Sequence, residues 1–303
     1  IIDELPNELV LEVPNSANKG EIVVLKNDVD EEYVRLVKTI QLNPDLPKKG
    51  FKIVFTPNHG TSYVNAMRIF EDCGYEIYPV LSQIDPDPDF KGTLSPNPEE
   101  KKSYIEPIKL AKDIGAHLIV MTDPDGDRVG VSYLASNGDY ELFTGNQSAA
   151  LLIDYLLGER KKKGTLSKNG VFYDTIVTSD LGRTIAKSYG LKVETFLTGF
   201  KYIGDRIQYY IENGGPTFEF GYEESYGCLI APFARDKDGI QAILMYCEMA
   251  LYHHLQGKTL DVVYDDLQKK YGYTLDLSYS VEFKGSSGMQ KMRDIMTRLS
   301  NKE

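Results

Sequence analysis

The stretch HLIVMTDPDGDRVGVSYL, residues 117–134, runs from an apolar segment into three aspartates at alternate positions and out into a second apolar segment. Short apolar runs bounded by turn residues read as buried strands, so the aspartates sit in the loop where one strand ends and the next begins. Working outward, FKIVFT (51–56) and YEIYPVL (75–81) are further strands. Between them Ala66, Met67, Ile69, Phe70 and Cys73 form one apolar helix face that Gly74 stops. A helix is expected after SPNPEE, with Asn97 as cap, Pro98 in the first position, Glu100 completing a capping box and Pro107 kinking it. VGVSYL, the turn SNGD and YELFT read as an antiparallel hairpin.

The pattern then repeats. A helix near 146–159 and the basic turn RKKKG precede strand VFYDTIV, a helix near 181–189, strand LKVETFL, a helix near 202–212, strands TFEFG and YGCLIAP, and a long helix from Gly239. The expectation is an α/β protein of two similar α/β/α domains with mixed, mainly parallel sheets, and ligands in loops beyond the strand ends. The expected divisions are a linker or end of a preceding domain at 1–20, a first domain at 21–145, a second at 146–272 and a connection at 273–303.

With 303 residues, of which 42% are hydrophobic, the chain has material for two cores. Its net charge of −11 argues against nucleic acid or an anionic membrane surface as partner. Cys73, Cys228 and Cys247 are widely spaced and follow no metal-binding pattern, which reads as buried thiols of a reducing compartment. Neither a secretory leader nor an apolar run of membrane-spanning length is evident, leaving the cytoplasm as the expected location. The chain starts Ile-Ile, and its last helix runs toward Lys302 and Glu303 with no stop signal, as expected of a piece of a longer protein.

Asp123, Asp125 and Asp127 read either as an acidic surface turn or as a metal site. Three like charges about 4 Å apart repel by roughly 1 kcal/mol per pair even in water, which favours a cation among them. An EF-hand is excluded, because Arg128 and Leu134 stand where that loop needs Gly and Glu. Oxygen ligands alone select Mg²⁺, Ca²⁺ or Mn²⁺, and Arg128 could fork onto a phosphate held there. In LTGFKYIGDRI (197–207), Lys201 and the backbone beside a helix start suit a phosphate. In TFEFGYEESYG (217–227), Glu223, Glu224 and Ser225 suit sugar hydroxyls or are simply polar loop residues. TPNHGTS (56–62) reads as a glycine loop whose His59 satisfies backbone groups or takes a direct part in catalysis, and RDKDG (235–239) as a functional loop or, equally, a solvated helix start.

In this order, TPNHGTS, PDPDF with SPNPEE, DPDGDR, LTGFK, GYEES and RDKDG together resemble the α-D-phosphohexomutase family, the phosphoglucomutases and phosphomannomutases. The resemblance covers most of residues 20–272 and implies the second and third of four domains, I and IV being absent. It implies that Asp123, Asp125 and Asp127 bind Mg²⁺ and that Arg128 contacts the phosphate of a phosphoserine. Lys201 would lie near the transferring phosphate or sugar, Thr198 and Gly199 would bind substrate, and Glu223 and Ser225 would grip sugar hydroxyls. The implied reaction interconverts hexose 1-phosphate and hexose 6-phosphate, with glucose expected, through a hexose 1,6-bisphosphate. The family's serine motif T-x-S-H-N-P and its phosphate clamp R-x-S-G-T-E-P have no match here, so this piece is expected to be inactive by itself. Two other readings are a haloacid-dehalogenase-type phosphatase with Asp123 as nucleophile and a non-catalytic sugar-phosphate-binding protein.

Overall fold

The computed structural model describes residues 27–277 and 285–301, together with Val23, Leu25, Val281 and Phe283. The expected linker at 1–20, and Lys302 and Glu303, lie outside the described residues. In chain order the elements are α1 (Asp28–Lys38), β1 (Lys52–Thr56), α2 (Tyr63–Cys73), β2 (Glu76–Pro79), α3 (Ile105–Ile114), β3 (Leu118–Thr122), β4 (Val129–Leu134) and β5 (Tyr140–Leu142). They continue with α4 (Gly145–Lys163), β6 (Gly170–Thr175), α5 (Asp180–Ser188), β7 (Lys192–Phe196), α6 (Lys201–Asn213), β8 (Thr217–Glu223), β9 (Gly227–Leu229), α7 (Gly239–His254), α8 (Leu260–Tyr271) and α9 (Ser286–Ser300).

The strands form two mixed sheets, as the alternation of strand and helix predicts. The first has the order β2-β1-β3-β4-β5, with β1 parallel to both β2 and β3 and the β4–β5 hairpin antiparallel. The second has the order β7-β6-β8-β9, parallel except for β9. Strand side chains alternate between faces. Ile53, Phe55, Leu118 and Val120 therefore face the largest core, while Val54, Ile119 and Met121 pack with Tyr104 and Ala111 on the opposite face. In the second sheet Phe172, Phe220 and Tyr222 point into that same large core, and Val171 and Tyr173 lie under Phe200 and, in α6, Ile203 and Ile207. Each fully buried side chain of this size contributes roughly 1.5–3 kcal/mol.

One helix joins the sheets. Helix α7 is buried continuously from Gln241 to Leu251 and packs on β3 and β4 of the first sheet as well as on β9 of the second. A helix apolar all round needs cover all round, so α7 does not belong to the second unit alone. Its Glu248 is fully buried, accepting the Tyr155 hydroxyl at 2.8 Å and the Leu42 amide at 3.0 Å, and burial raises its pKa.

Three local expectations are corrected. The Asn97 side-chain oxygen Oδ1 accepts the Glu99 amide at 3.1 Å, closing a turn, and a 3₁₀ turn at Lys101–Tyr104 precedes α3. Asn97 and Glu100 are therefore not a capping box. Pro107 stands in the first turn of α3, where its missing N–H breaks no ladder bond, so it kinks nothing. RKKKG is not a turn: Arg160–Lys163 form the last turn of α4, where cations complement the helix dipole, and left-handed Gly164 ends it. Among the described residues, no helix is long and apolar enough to cross a membrane.

Next to Glu248's neighbour Tyr155 lies His253, whose buried Nδ1 has no partner. Burial, reinforced by Lys258, pushes its pKa down from 6.5 to about 4. The unfolded chain therefore binds this proton more readily, and on this account stability rises with pH from about 4 and is fully present above 6.5. We expect His253→Phe to flatten that slope in urea denaturation carried out across the window. An unchanged slope would assign it to other groups.

Candidate functional site: the aspartate loop and the GYEES loop

Strand β3 ends at Thr122, and the chain reverses so that β4 runs antiparallel beside it. The Gly126 amide bonds to Asp123 O at 3.1 Å, and Gly126 takes φ +77°, which closes the loop tightly. One oxygen of Asp123, Oδ1, accepts the amides of Asp127 and Arg128 at 3.1 and 3.0 Å. Oxygens of Asp123, Asp125 and Asp127 all lie within 4.8 Å of one another. Burial, with the neighbouring carboxylates Asp125 and Asp127, pushes the Asp123 pKa up to about 7 against the amide bond from Arg128. Asp127 Oδ1 is buried and accepts no hydrogen bond. Hard oxygen donors gathered on one turn, with an acceptor left unpaired, fit a divalent cation.

Two of the motifs clamp this loop. Within TPNHGTS, Asn58 donates to Thr122 O at 2.8 Å, Ser62 Oγ lies 2.7 Å from Thr122 Oγ1, and the Thr61 amide donates to Pro124 O at 2.9 Å. Asn58 and His59 both hold positive φ, at 49° and 62°. His59 Nδ1 lies 2.8 Å from Asp85 O, so its ring meets backbone, as the sequence reading expects, and not the aspartates. From the other side the Gly239 amide donates to Gly126 O at 2.9 Å.

Arg128 leans over the carboxylates: its Nε is 3.6 Å from Asp123 Oδ2 and 3.9 Å from Asp127 Oδ1, and its Nη1 donates to Glu99 Oε1 at 3.3 Å. The second sheet meets this loop directly. The Val129 amide donates to Tyr226 O at 2.8 Å, joining the residue after Arg128 to the GYEES loop. Glu223 Oε1 accepts the Gly199 amide at 2.7 Å, which ties LTGFK to the same place. Its Oε2 meets Lys237, whose ammonium also lies 3.1 Å from Asp127 Oδ2. Burial works against the Lys237 charge, yet Asp127 and Glu223 hold its pKa above the usual lysine range.

Glu223 is thus 7% exposed with both oxygens engaged, whereas Glu224 and Ser225 line a 710 Å³ cleft with Glu99, Asn146 and Asp276. Thr175 Oγ1 donates to Glu224 Oε2 at 3.2 Å. Thr198 and Lys201 are exposed, with Lys201 Nζ 5.1 Å from the Tyr202 ring centroid. Lys237 and Glu99 are the residues that sequence reading missed. RDKDG was legible as a helix start, and Asp238 does cap α7 through the Gln241 amide at 3.0 Å. Its lysine is not solvated: Lys237 is 13% exposed, a burial that depends on residues distant in sequence.

Residues 31–135 match the family model described as phosphoglucomutase/phosphomannomutase, alpha/beta/alpha domain II, and residues 144–271 match domain III of the same family. The chain belongs to this family. That membership sets aside the haloacid-dehalogenase reading of Asp123. Relatives include the phosphoglucomutase of Staphylococcus epidermidis, 34% identical over 300 residues, covering 98% of this chain and 54% of the relative. That of Staphylococcus aureus is 30% identical over 298 residues, covering 98% and 52%. The chain spans about half the length of these relatives. By fold, it superposes on a putative phosphomannomutase from Thermus thermophilus with TM-score 0.65 at 23% identity, covering 83% of this chain and 52% of that one. An Aspergillus fumigatus N-acetylphosphoglucosamine mutase, solved with GlcNAc-6P and magnesium, gives TM-score 0.57 at 14% identity, covering 89% and 62%.

The clamp from TPNHGTS leaves no room at Gly60, where an added Cβ would collide with the Pro124 backbone. Gly60→Ala should cost about 1–3 kcal/mol in urea denaturation. A midpoint equal to wild type would show that the aspartate loop yields freely and is not held from this side.

Proposed function

We propose that this chain supplies the metal and sugar side of a hexose phosphate mutase, most closely a phosphoglucomutase, interconverting hexose 1-phosphate and hexose 6-phosphate in the cytoplasm. The observation that carries the proposal is the single ammonium of Lys237 touching both Asp127 and Glu223, which ties the aspartate loop to the start of the GYEES loop. In this reading Asp123, Asp125 and Asp127 hold Mg²⁺, which when bound supplies neutralising charge for phosphoryl oxygens. Arg128, already poised over the aspartates, forks onto a phosphate carried by a serine outside this chain. Thr198, Gly199 and Lys201 receive the sugar phosphate at the start of α6. Glu223 and Ser225 orient the hydroxyls, with Glu223 first released from Lys237 or Gly199.

Phosphoryl transfer asks chiefly for positioning and charge stabilisation. A bisphosphate, hexose 1,6-bisphosphate, turns over between the two transfers so that either phosphate can face the reacting serine. The domains bearing that serine and the phosphate clamp, I and IV, are assigned to the rest of a longer protein, consistent with relatives of about twice this length. Being the principal relatives' named activity, phosphoglucomutase makes glucose the proposed hexose.

Mg²⁺ titrated into the chain in a calorimeter should give heat that Asp125→Asn removes, and equal heats from both proteins would overturn the metal assignment. In a coupled assay with glucose 1-phosphate, glucose 1,6-bisphosphate and Mg²⁺, the chain alone should show no turnover. In the longer protein Glu223→Gln should lower kcat by a few kcal/mol of transition-state stabilisation, about 100-fold, and much more than it lowers folding stability. Normal kcat and KM would reduce GYEES to a structural loop.

A further inference from the structure

Lys237 is placed with little freedom. Its stem crosses Gly227, where a Cβ would collide with Lys237 Cδ, and its ammonium lies 5.7 Å from the Phe200 ring centroid. Three carboxylates surround it: Asp127 Oδ2 at 3.1 Å, Glu223 Oε2 at 3.2 Å and Asp236 Oδ1 at 3.7 Å. Asp127 belongs to the loop leaving the first sheet, and Glu223 ends β8 of the second.

Resting on the metal reading above, we infer that Lys237 is a positioning residue that couples cation uptake on the aspartates to the state of Glu223. Its ammonium is the counter-ion of Asp127. A divalent cation gathered by Asp123, Asp125 and Asp127 claims that same charge, so ammonium and cation compete, and like charges a few Å apart repel. With Asp127 taken, the ammonium is left to Glu223 and to any anion that reaches the aspartate loop. The coupling runs both ways, because linkage between two binding events is reciprocal. A phosphate ester that draws the ammonium to itself frees Asp127 and strengthens cation binding. The paired loops thereby favour loading with both ligands over loading with either.

The test is Mg²⁺ calorimetry on the chain, its Lys237→Met and Glu223→Gln variants and the double variant, with circular dichroism as a folding check. Lys237→Met should bind Mg²⁺ about tenfold more tightly. Glu223→Gln, which leaves the ammonium to Asp127, should bind it more weakly, and that weakening should vanish in the double variant. Glucose 1-phosphate should tighten Mg²⁺ binding to wild type and not to Lys237→Met. Wild-type Mg²⁺ affinity in folded Lys237→Met overturns the coupling, as does an equal effect of Glu223→Gln with and without Lys237. If Lys237→Met does not fold, the absence of any glucose 1-phosphate effect on wild type overturns it alone. Heat that survives in Asp125→Asn, or is lacking in wild type, overturns the metal reading itself and the coupling with it.

Discussion

The structure depends on the burial of α7. Eleven consecutive residues from Gln241 to Leu251 are withdrawn from water, and a helix so apolar is stable only if both sheets pack on it. That requirement draws β3 and β4 of the first sheet and β9 of the second to one element. Because α7 begins where RDKDG ends, its N-terminus fixes Lys237, Asp238 and Gly239 against Asp127 and Gly126. The site is therefore a by-product of core packing: two loops meet because the helix beneath them has no exposed face.

Electrostatics then sets what the meeting place can do. Asp123, Asp125, Asp127 and Glu223 outnumber the cations Arg128 and Lys237 that reach them. The imbalance shows in Asp123, whose pKa rises to about 7 through burial and its neighbouring carboxylates. Folding keeps this charge because the amides of Asp127 and Arg128, the Lys237 ammonium and the Arg128 guanidinium offset part of it. Backbone clamps from TPNHGTS and from Gly239 hold the loop in place against the remaining repulsion. Stability is spent locally to keep an incompletely neutralised, preorganised cluster.

Much of this was legible in the residues themselves. The short apolar runs bounded by turn residues marked the strands, Gly74 marked a helix end, and the alternating aspartates announced unusual charge density at a strand end. His59 was readable as a backbone partner. Where local reading failed, a competing contact had won: Asn97 closes a turn instead of capping a helix, and RKKKG completes α4 because four cations suit its C-terminal dipole.

The sequence by itself determined the order and type of the elements, the α/β/α class, the family and the motifs from which a site could be built, because periodicity, turn residues and residue spacing are local properties. Only the tertiary structure decided that α7 serves both sheets, that Glu223 is held by Gly199 and Lys237 while Glu224 faces the cleft, and that Tyr226 is bonded to the residue beside Arg128. These pairings join positions such as 127 and 237, far apart in the chain. Nothing in a linear pattern states which distant groups share a charge; that follows from how the two sheets close on the helix between them.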